Sequence, residues 1–437
     1  MMKRLLFLLA PLFALIVIGW TLSLHRSAAL TPAAPTVYSR PPYDPGALAK
    51  TIAFYEQRVK SDPGGVIEAN LLSGLYSQRC RETGDISDAV RGEKMARHAL
   101  QIRARNNGAA WDQIAVSLVT QHRFTEALEA VAKALDVNRE DKQALDLQIE
   151  IYTERGDYPE AEKAIHAREA QGIDIHLMAL QARLAEIKGN LPRALELLKK
   201  AQETADKNYD LPNENVAWFH MRVGDMLAAM GRADEAEKSY AEALELFPRE
   251  YKTLTALARL ECGRGNWAQA EQWGRKAADV VPTPEVIALL GDALWAQKKS
   301  RDAQDQYGLI EAMGTLSRAQ GTIYDRQRAL YLADHDRNLE EALSLARREL
   351  TGRHDVYAYD TLAWVCCKKG LLEEAQTAMQ KALAQNTQDS RLLYHAGILA
   401  EKRGDHMQAK VYLSRALALN PYFLPFAPDE ARKLVAR

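Results

Sequence analysis

Cysteine is scarce in this 437-residue chain: four in all, at Cys80, Cys262, Cys366 and Cys367, which excludes a disulfide-stapled scaffold. Neither sign of charge is in excess, since 57 Lys and Arg face 58 Asp and Glu. The chain therefore lacks the basic surplus of a nucleic-acid binder, and no nucleic acid is expected as a partner. Catalytic motifs are missing too: there is no GxxxxGK[ST], no GxSxG, no HExxH and no GxGxxG after a strand. The ten histidines are scattered, with no pair at metal-ligand spacing on one helix. No metal, cofactor or catalytic residue is expected. What remains, 47% apolar and 26% charged residues, is the composition of a folded protein, and it excludes a disordered, collagenous or multi-spanning chain.

One long uncharged run is present. Met1-Met2-Lys3-Arg4 precedes Leu5 to Leu24, which as a hydrophobic helix at about 1.5 Å per residue just spans a hydrocarbon layer of roughly 30 Å. Its length favours a membrane anchor over a cleaved signal peptide, although Ser27-Ala28-Ala29 offers a cleavage site. The basic residues ahead of it place the N-terminus in the cytoplasm and the rest on the exported, periplasmic or extracytoplasmic, side; signal cleavage would instead leave a secreted protein. Residues 1–26 are thus read as anchor or signal, and 27–43, with Pro32, Pro35, Pro41 and Pro42, as an extended linker.

From residue 44 to 421 one pattern recurs. In the copy from Ser390, Leu393 holds place 4, Ala396 and Gly397 places 7 and 8, Ala409 place 20, Leu413 place 24, Ala416 place 27 and Pro421 place 32. The copy from Val356 puts Tyr359, Leu362, Ala363, Ala375, Met379 and Ala382 at the same places, a period of 34. Earlier copies start near Gly108, Lys142, Ile175, Ala217, Tyr251, Pro284 and Ile323. A degenerate first copy carries Leu71, Leu75 and Tyr76, then Ala89, Ala96 and Leu100. Each unit reads as two antiparallel helices that cannot bury their apolar faces alone and must stack on neighbours. Small residues at places 8 and 20 mark the helix contacts. Gly-led corners such as Gly231-Arg232 and Gly265-Asn266 separate the two helices.

These in-phase copies resemble the tetratricopeptide repeat. The resemblance implies an all-α, right-handed α-solenoid of about ten helix-turn-helix repeats whose first helices line a concave groove for protein or peptide partners. It also implies that places 2, 5, 9 and 12 face the groove. Place 5 holds Asp112, Asp146, Ala179, Met221, Thr255, Ala288, Gln327, Asp360 and Tyr394, so the Lys/Asn/Arg carboxylate clamp of some members is absent.

Spacing between copies widens twice, around 202–215 and 311–322, where loops of a repeat array either carry function or are simply tolerated. Residues 422–437 read as a terminal cap over the last apolar face. With about 340 residues in repeats, no catalytic domain fits. Asp334-His335-Asp336 reads as a polar turn, Cys366 as core, and Cys367 as core or a groove thiol.

The candidate binding face therefore comprises an acidic N-terminal stretch, Asp112, Asp146, Glu150 and Glu154, and an aromatic stretch, Trp295, Tyr324, Tyr331, Tyr357, Trp364 and Tyr394, with Asp360 among them. Aromatics anchor extended or apolar segments, or else pack between repeats. The functional expectation is a non-catalytic, membrane-tethered scaffold for protein or peptide partners. The rival is an accessory subunit of an enzyme or of an envelope-assembly complex such as those of cytochrome maturation or polysaccharide export.

Overall fold

Small residues wherever two helices must cross, with larger apolar residues between them, are satisfied by stacked helix pairs. The computed structural model describes residues 40–320 and 325–437, apart from the side-chain surroundings of 316–320. The expected N-terminal hydrophobic helix and nearly all of the linker lie outside the described residues, as does Tyr324. Among the described residues there are 22 helices and no strand, and no helix is long and apolar enough to cross a membrane. Residues 42–437 form one compact unit.

A leading helix, α1 (Ala47–Ser61), precedes ten pairs. They are α2 (Val66–Thr83) with α3 (Ile86–Ile102), α4 (Gly108–Thr120) with α5 (Phe124–Val137), α6 (Lys142–Arg155) with α7 (Tyr158–Glu169), and α8 (Ile175–Ile187) with α9 (Leu191–Asp206). Next come α10 (Asn213–Ala229) with α11 (Ala233–Leu246), α12 (Tyr251–Arg264) with α13 (Trp267–Ala278), and α14 (Pro284–Ala296) with α15 (Ser300–Gln320). The last are α16 (Asp325–Asp334) with α17 (Leu339–Glu349), α18 (Val356–Lys369) with α19 (Leu372–Leu383), and α20 (Ser390–Lys402) with α21 (His406–Leu419), after which α22 (Ala427–Val435) packs on α21.

Local chemistry sets the helix ends. Asn107, Asp141, Asp174, Thr283, Asp355 and Asp389 each accept a backbone N–H at the start of a first helix, a cap worth about 1 kcal/mol. The place-20 alanines, from Ala127 to Ala409, are buried without exception. Place 27 is alanine in most pairs, and its two charged exceptions are informative. Arg168 is fully buried and pairs with Asp174 at 2.5 Å and Asp146 at 2.8 Å, while Glu349 pairs with Arg326 at 2.8 Å. A charge in an alanine slot is tolerated here because an opposite charge faces it.

The extra residues near 202–215 mainly lengthen helices. α9 runs on to Asp206, α10 begins at Asn213, and His220 Nε2 stands 2.9 Å from Asp206 Oδ1.

The solenoid winds far enough that successive superhelical turns touch. Corners within pairs dock on the loops that join pairs about five and a half units later. The α6–α7 corner meets the loop before α18: the His354 N–H donates to the Arg155 carbonyl at 2.8 Å, the Val356 N–H to the Tyr158 hydroxyl at 3.0 Å, and His354 faces Asp157 at 2.9 Å. One pair further on, the Thr387 hydroxyl donates to the Ile187 carbonyl. Trp267 stacks on Phe426 with ring centres 5.1 Å apart, and Tyr43 meets Phe247 edge-on at 4.8 Å. The groove implied by the family resemblance is thereby closed along the line where these turns meet.

Candidate functional site

Winding gathers the inner faces of seven first helices, α8, α10, α12, α14, α16, α18 and α20, around one hollow of about 990 Å³. The segment from Asn420 to Ala427 supplies part of the wall. A ladder of charge runs along it. Glu186 receives both Arg183 at 3.2 Å and Arg222 at 2.8 Å, and Arg222 also reaches Asp225 at 3.1 Å. Arg259 pairs with Glu285, and Arg326 with Asp355 at 2.7 Å. Tyrosines from the second helices cross the pair to complete the ladder: the Tyr240 hydroxyl donates to Asp225 at 2.9 Å and the Tyr307 hydroxyl to Asp292 at 2.8 Å. Gly224 and Gly291 leave the space for those rings, since a Cβ on either would sit about 2.5 Å from the tyrosine.

Gln327, Tyr331 and Ser390 line the hollow, and among the described residues Gln327 Oε1 and the Tyr331 and Ser390 hydroxyls are buried behind its surface without a hydrogen bond. Orphaned buried polar groups are rare in folded proteins because each costs about 1–3 kcal/mol. Two cations stand near them with no carboxylate at ion-pair distance among the described residues: Arg391, and Lys402, which donates to the Cys367 carbonyl at 3.1 Å. Burial pushes the Tyr331 hydroxyl up to about 12, so it is a neutral donor at physiological pH.

The candidate residues distribute unevenly over this geometry. Trp295 is half exposed on the wall and Tyr357 partly exposed beneath Arg183, whose guanidinium lies 5.4 Å from its ring. Tyr331, Trp364 and Tyr394 show only edges to the hollow. Their rings are packed, with the Trp364 indole N–H donating to Asp334 at 2.7 Å and the Tyr394 hydroxyl to Glu430 at 2.5 Å. Asp360 requires correction as a partner contact: it is 1% exposed and held 2.9 Å from His395 Nδ1, sealed by the next helix pair. Cys367 is likewise no groove thiol, being buried with its pKa pushed up by that burial.

The acidic stretch lies outside the hollow's lining. Asp146 is committed to Arg168. Glu150 is exposed, yet surrounding protein mass and then Glu154 push its carboxyl up to about 7. Asp112 is 4% exposed, its Oδ1 has no partner, and burial, helped by Asp141, pushes it up to about 7. An unfolded aspartate titrates near 3.9, so between pH 4 and 7 the folded state keeps a proton that the unfolded state has lost. Stability therefore falls as pH rises through that window, by up to about 4 kcal/mol in the limit of 1.36 kcal/mol per unit. Thermal melts from pH 4 to 8 are expected to show this decline, and Asp112→Asn to flatten it. A decline unchanged in the variant would exclude Asp112 as its source.

The Asp334-His335-Asp336 turn is spent internally, on Trp364, on Asp292 at 2.8 Å and on Lys368 at 2.8 Å respectively. Among the described residues no group of three or more His, Cys, Asp or Glu is arranged to hold a metal ion. The charge ladder was missed in the sequence, although a signal existed: place 9 reads Arg183, Asp225, Arg259, Asp292 in successive copies.

Tetratricopeptide-repeat family profiles match residues 113–172 and 215–283, and the helix pairs on either side repeat the same build. The chain carries tetratricopeptide repeats. Members of that family are generally non-catalytic scaffolds that bind protein partners, and this tetratricopeptide protein has the architecture of one. No curated protein sequence matches it. Among solved structures it is similar to PilW, described as a widely conserved type IV pilus biogenesis factor, at 17% identity and a TM-score of 0.40, covering 47% of this chain and 92% of that one. It is also similar to human IFIT1, solved as a dimer with PPP-AAAA, at 18% identity and a TM-score of 0.49, covering 77% and 78%.

Proposed function

We propose that this protein is a membrane-tethered, non-catalytic scaffold that takes an extended segment of a partner protein end-on into its hollow. The observation that carries the reading is the hollow's wall of seven first helices, on which Arg391 and Lys402 have no carboxylate at ion-pair distance among the described residues. An acidic side chain or terminal carboxylate of the segment pairs with them. Length argues for an extended occupant, because the hollow runs past seven first helices. Docked turns close the hollow to a folded domain along the line where they meet. Trp295 and Tyr357 offer partly exposed aromatic surface for the segment's apolar side chains. In this reading Leu5 to Leu24 anchors the chain, residues 27–43 span to the solenoid, and the solenoid works on the exported side.

A photo-crosslinking residue placed at Trp295 or Tyr357 of the full chain in its host is expected to capture one stretch of one exported protein at both positions. The same residue at Glu129 or Glu160, exposed in the second helices, is expected to capture none of it. Adducts confined to the second helices, or to cytoplasmic proteins, would overturn the reading. Arg391→Glu with Lys402→Glu is expected to reduce the hollow adduct at least tenfold. The full chain is also expected to stay with membranes through alkaline extraction, and its release would overturn the tether.

A further inference from the structure

Within the chain, one kind of contact recurs wherever superhelical turns meet: the corner inside one pair seats on the loop between two later pairs. Three corners are seated this way, and two more positions, Gly231 and Gly263, seat on the segment that ends the last pair. A Cβ built on Gly84 would lie 2.5 Å from Val281, on Gly156 2.5 Å from the His354 carbonyl, on Gly189 2.3 Å from that of Asn386, on Gly231 2.7 Å from that of Leu419, and on Gly263 2.2 Å from that of Tyr422. The loops so covered bury their apolar side chains: Val281 is 6% exposed and Val356 2%.

The corners of the ninth and tenth pairs are bare among the described residues. A Cβ on Gly370 or Gly404 meets no atom within 4 Å. Beside them on the same rim stand Leu371 and Met407, 38% and 78% exposed. Leu371 is the N-cap of α19 and forms no capping bond. At the opposite rim, among the described residues, no corner is seated on the loops of the first superhelical turn, and Val137 and Ile173 are bare, 40% and 62% exposed. Leu371 and Met407 stand one repeat apart, as do Val137 and Ile173. The two rims thus carry matching spacings of apolar residues and the two halves of a contact that the chain already makes with itself.

We propose that copies of this chain stack along the superhelical axis, the Leu371–Met407 rim of one seating on the Val137–Ile173 rim of the next. The occupant is a second copy because the seat and the corner are complementary parts of one sequence. Such a contact joins two different surfaces, so it does not close on itself and extends copy by copy. Stacking joins the hollows end to end. The proposal does not depend on what the hollow binds.

The test uses differently tagged full-length chains co-expressed in host membranes, one with Leu371→Cys and the other with Val137→Cys, treated with a short bis-maleimide. The four native cysteines are buried and stay silent. A mixed-tag dimer is expected for this pair and for Met407→Cys with Ile173→Cys, and none for Glu129→Cys with Leu371→Cys. Absence of the mixed dimer in both rim pairs would overturn the proposal. So would self-crosslinking of Leu371→Cys at equal yield, which means face-to-face pairing. In a second measurement, sedimentation of the purified full chain in detergent is expected to show mass rising with concentration. Leu371→Glu with Met407→Glu is expected to abolish that rise, and its persistence would place the association elsewhere.

Discussion

Replacing His395 with leucine is expected to cost about 3–5 kcal/mol, because it strands the carboxylate of Asp360 in the core. His395 is 0% exposed and Asp360 1%, with Nδ1 and Oδ1 2.9 Å apart. The imidazole also stacks on Trp364 at 4.2 Å, so the substitution loosens α16, α18 and α20 together. The cost arises from what is left behind and not from the bond lost. His395→Leu made in an Asp360→Leu background is therefore expected to cost under about 1 kcal/mol, since no buried polar partner is then left stranded. Urea unfolding of the four proteins measures the coupling. Because a solenoid unfolds in segments, hydrogen exchange of α18 and α20 locates it. A coupling below about 0.5 kcal/mol would mean that water reaches Asp360.

Gly189→Val tests the seating of one superhelical turn on the next. Gly189 has φ of +75° at the α8–α9 corner, and its missing Cβ leaves room for the Asn386 carbonyl. Valine pays twice there, once for a left-handed backbone at about 1–2 kcal/mol and again for the displaced loop. Gly370→Val is the control: φ is +81° but nothing stands within 4 Å, so only the backbone cost applies. The expected loss is about 2–4 kcal/mol at Gly189 and about 1–2 kcal/mol at Gly370. Solution scattering is expected to show an expanded solenoid for Gly189→Val alone. Equal losses and equal dimensions would show that the turns do not bear on one another.

The helix pairs were legible in the sequence because each is written within about 34 residues, in alanines at crossings and caps at starts. The enclosure was not. Its contacts join residues 197 to 200 apart, as His354 with Asp157 and Thr387 with Ile187 do, and no local period records a partner at that distance. The glycines at the corners were visible, but a helix C-terminus asks for glycine whether or not another turn lies against it. The candidate site was legible to the level of helix face. Trp364, Tyr394 and Asp360 do belong to first helices, but helical spacing does not separate a residue that faces the axis from one covered by the next pair. Burial decides that, and it depends on neighbours such as His395 and Glu430 that the pattern treats as ordinary positions.

The seated corners also set an order of assembly. Helix pairs stack on immediate predecessors as soon as they are complete, whereas the seat for the Arg155–Asp157 corner is the loop at Arg353–Val356. During synthesis the first superhelical turn therefore stands as an open spring, with Gly156 and Gly189 bare, until the ninth and tenth pairs have left the ribosome. Truncation before residue 350 leaves the early pairs folded but the spring unclosed.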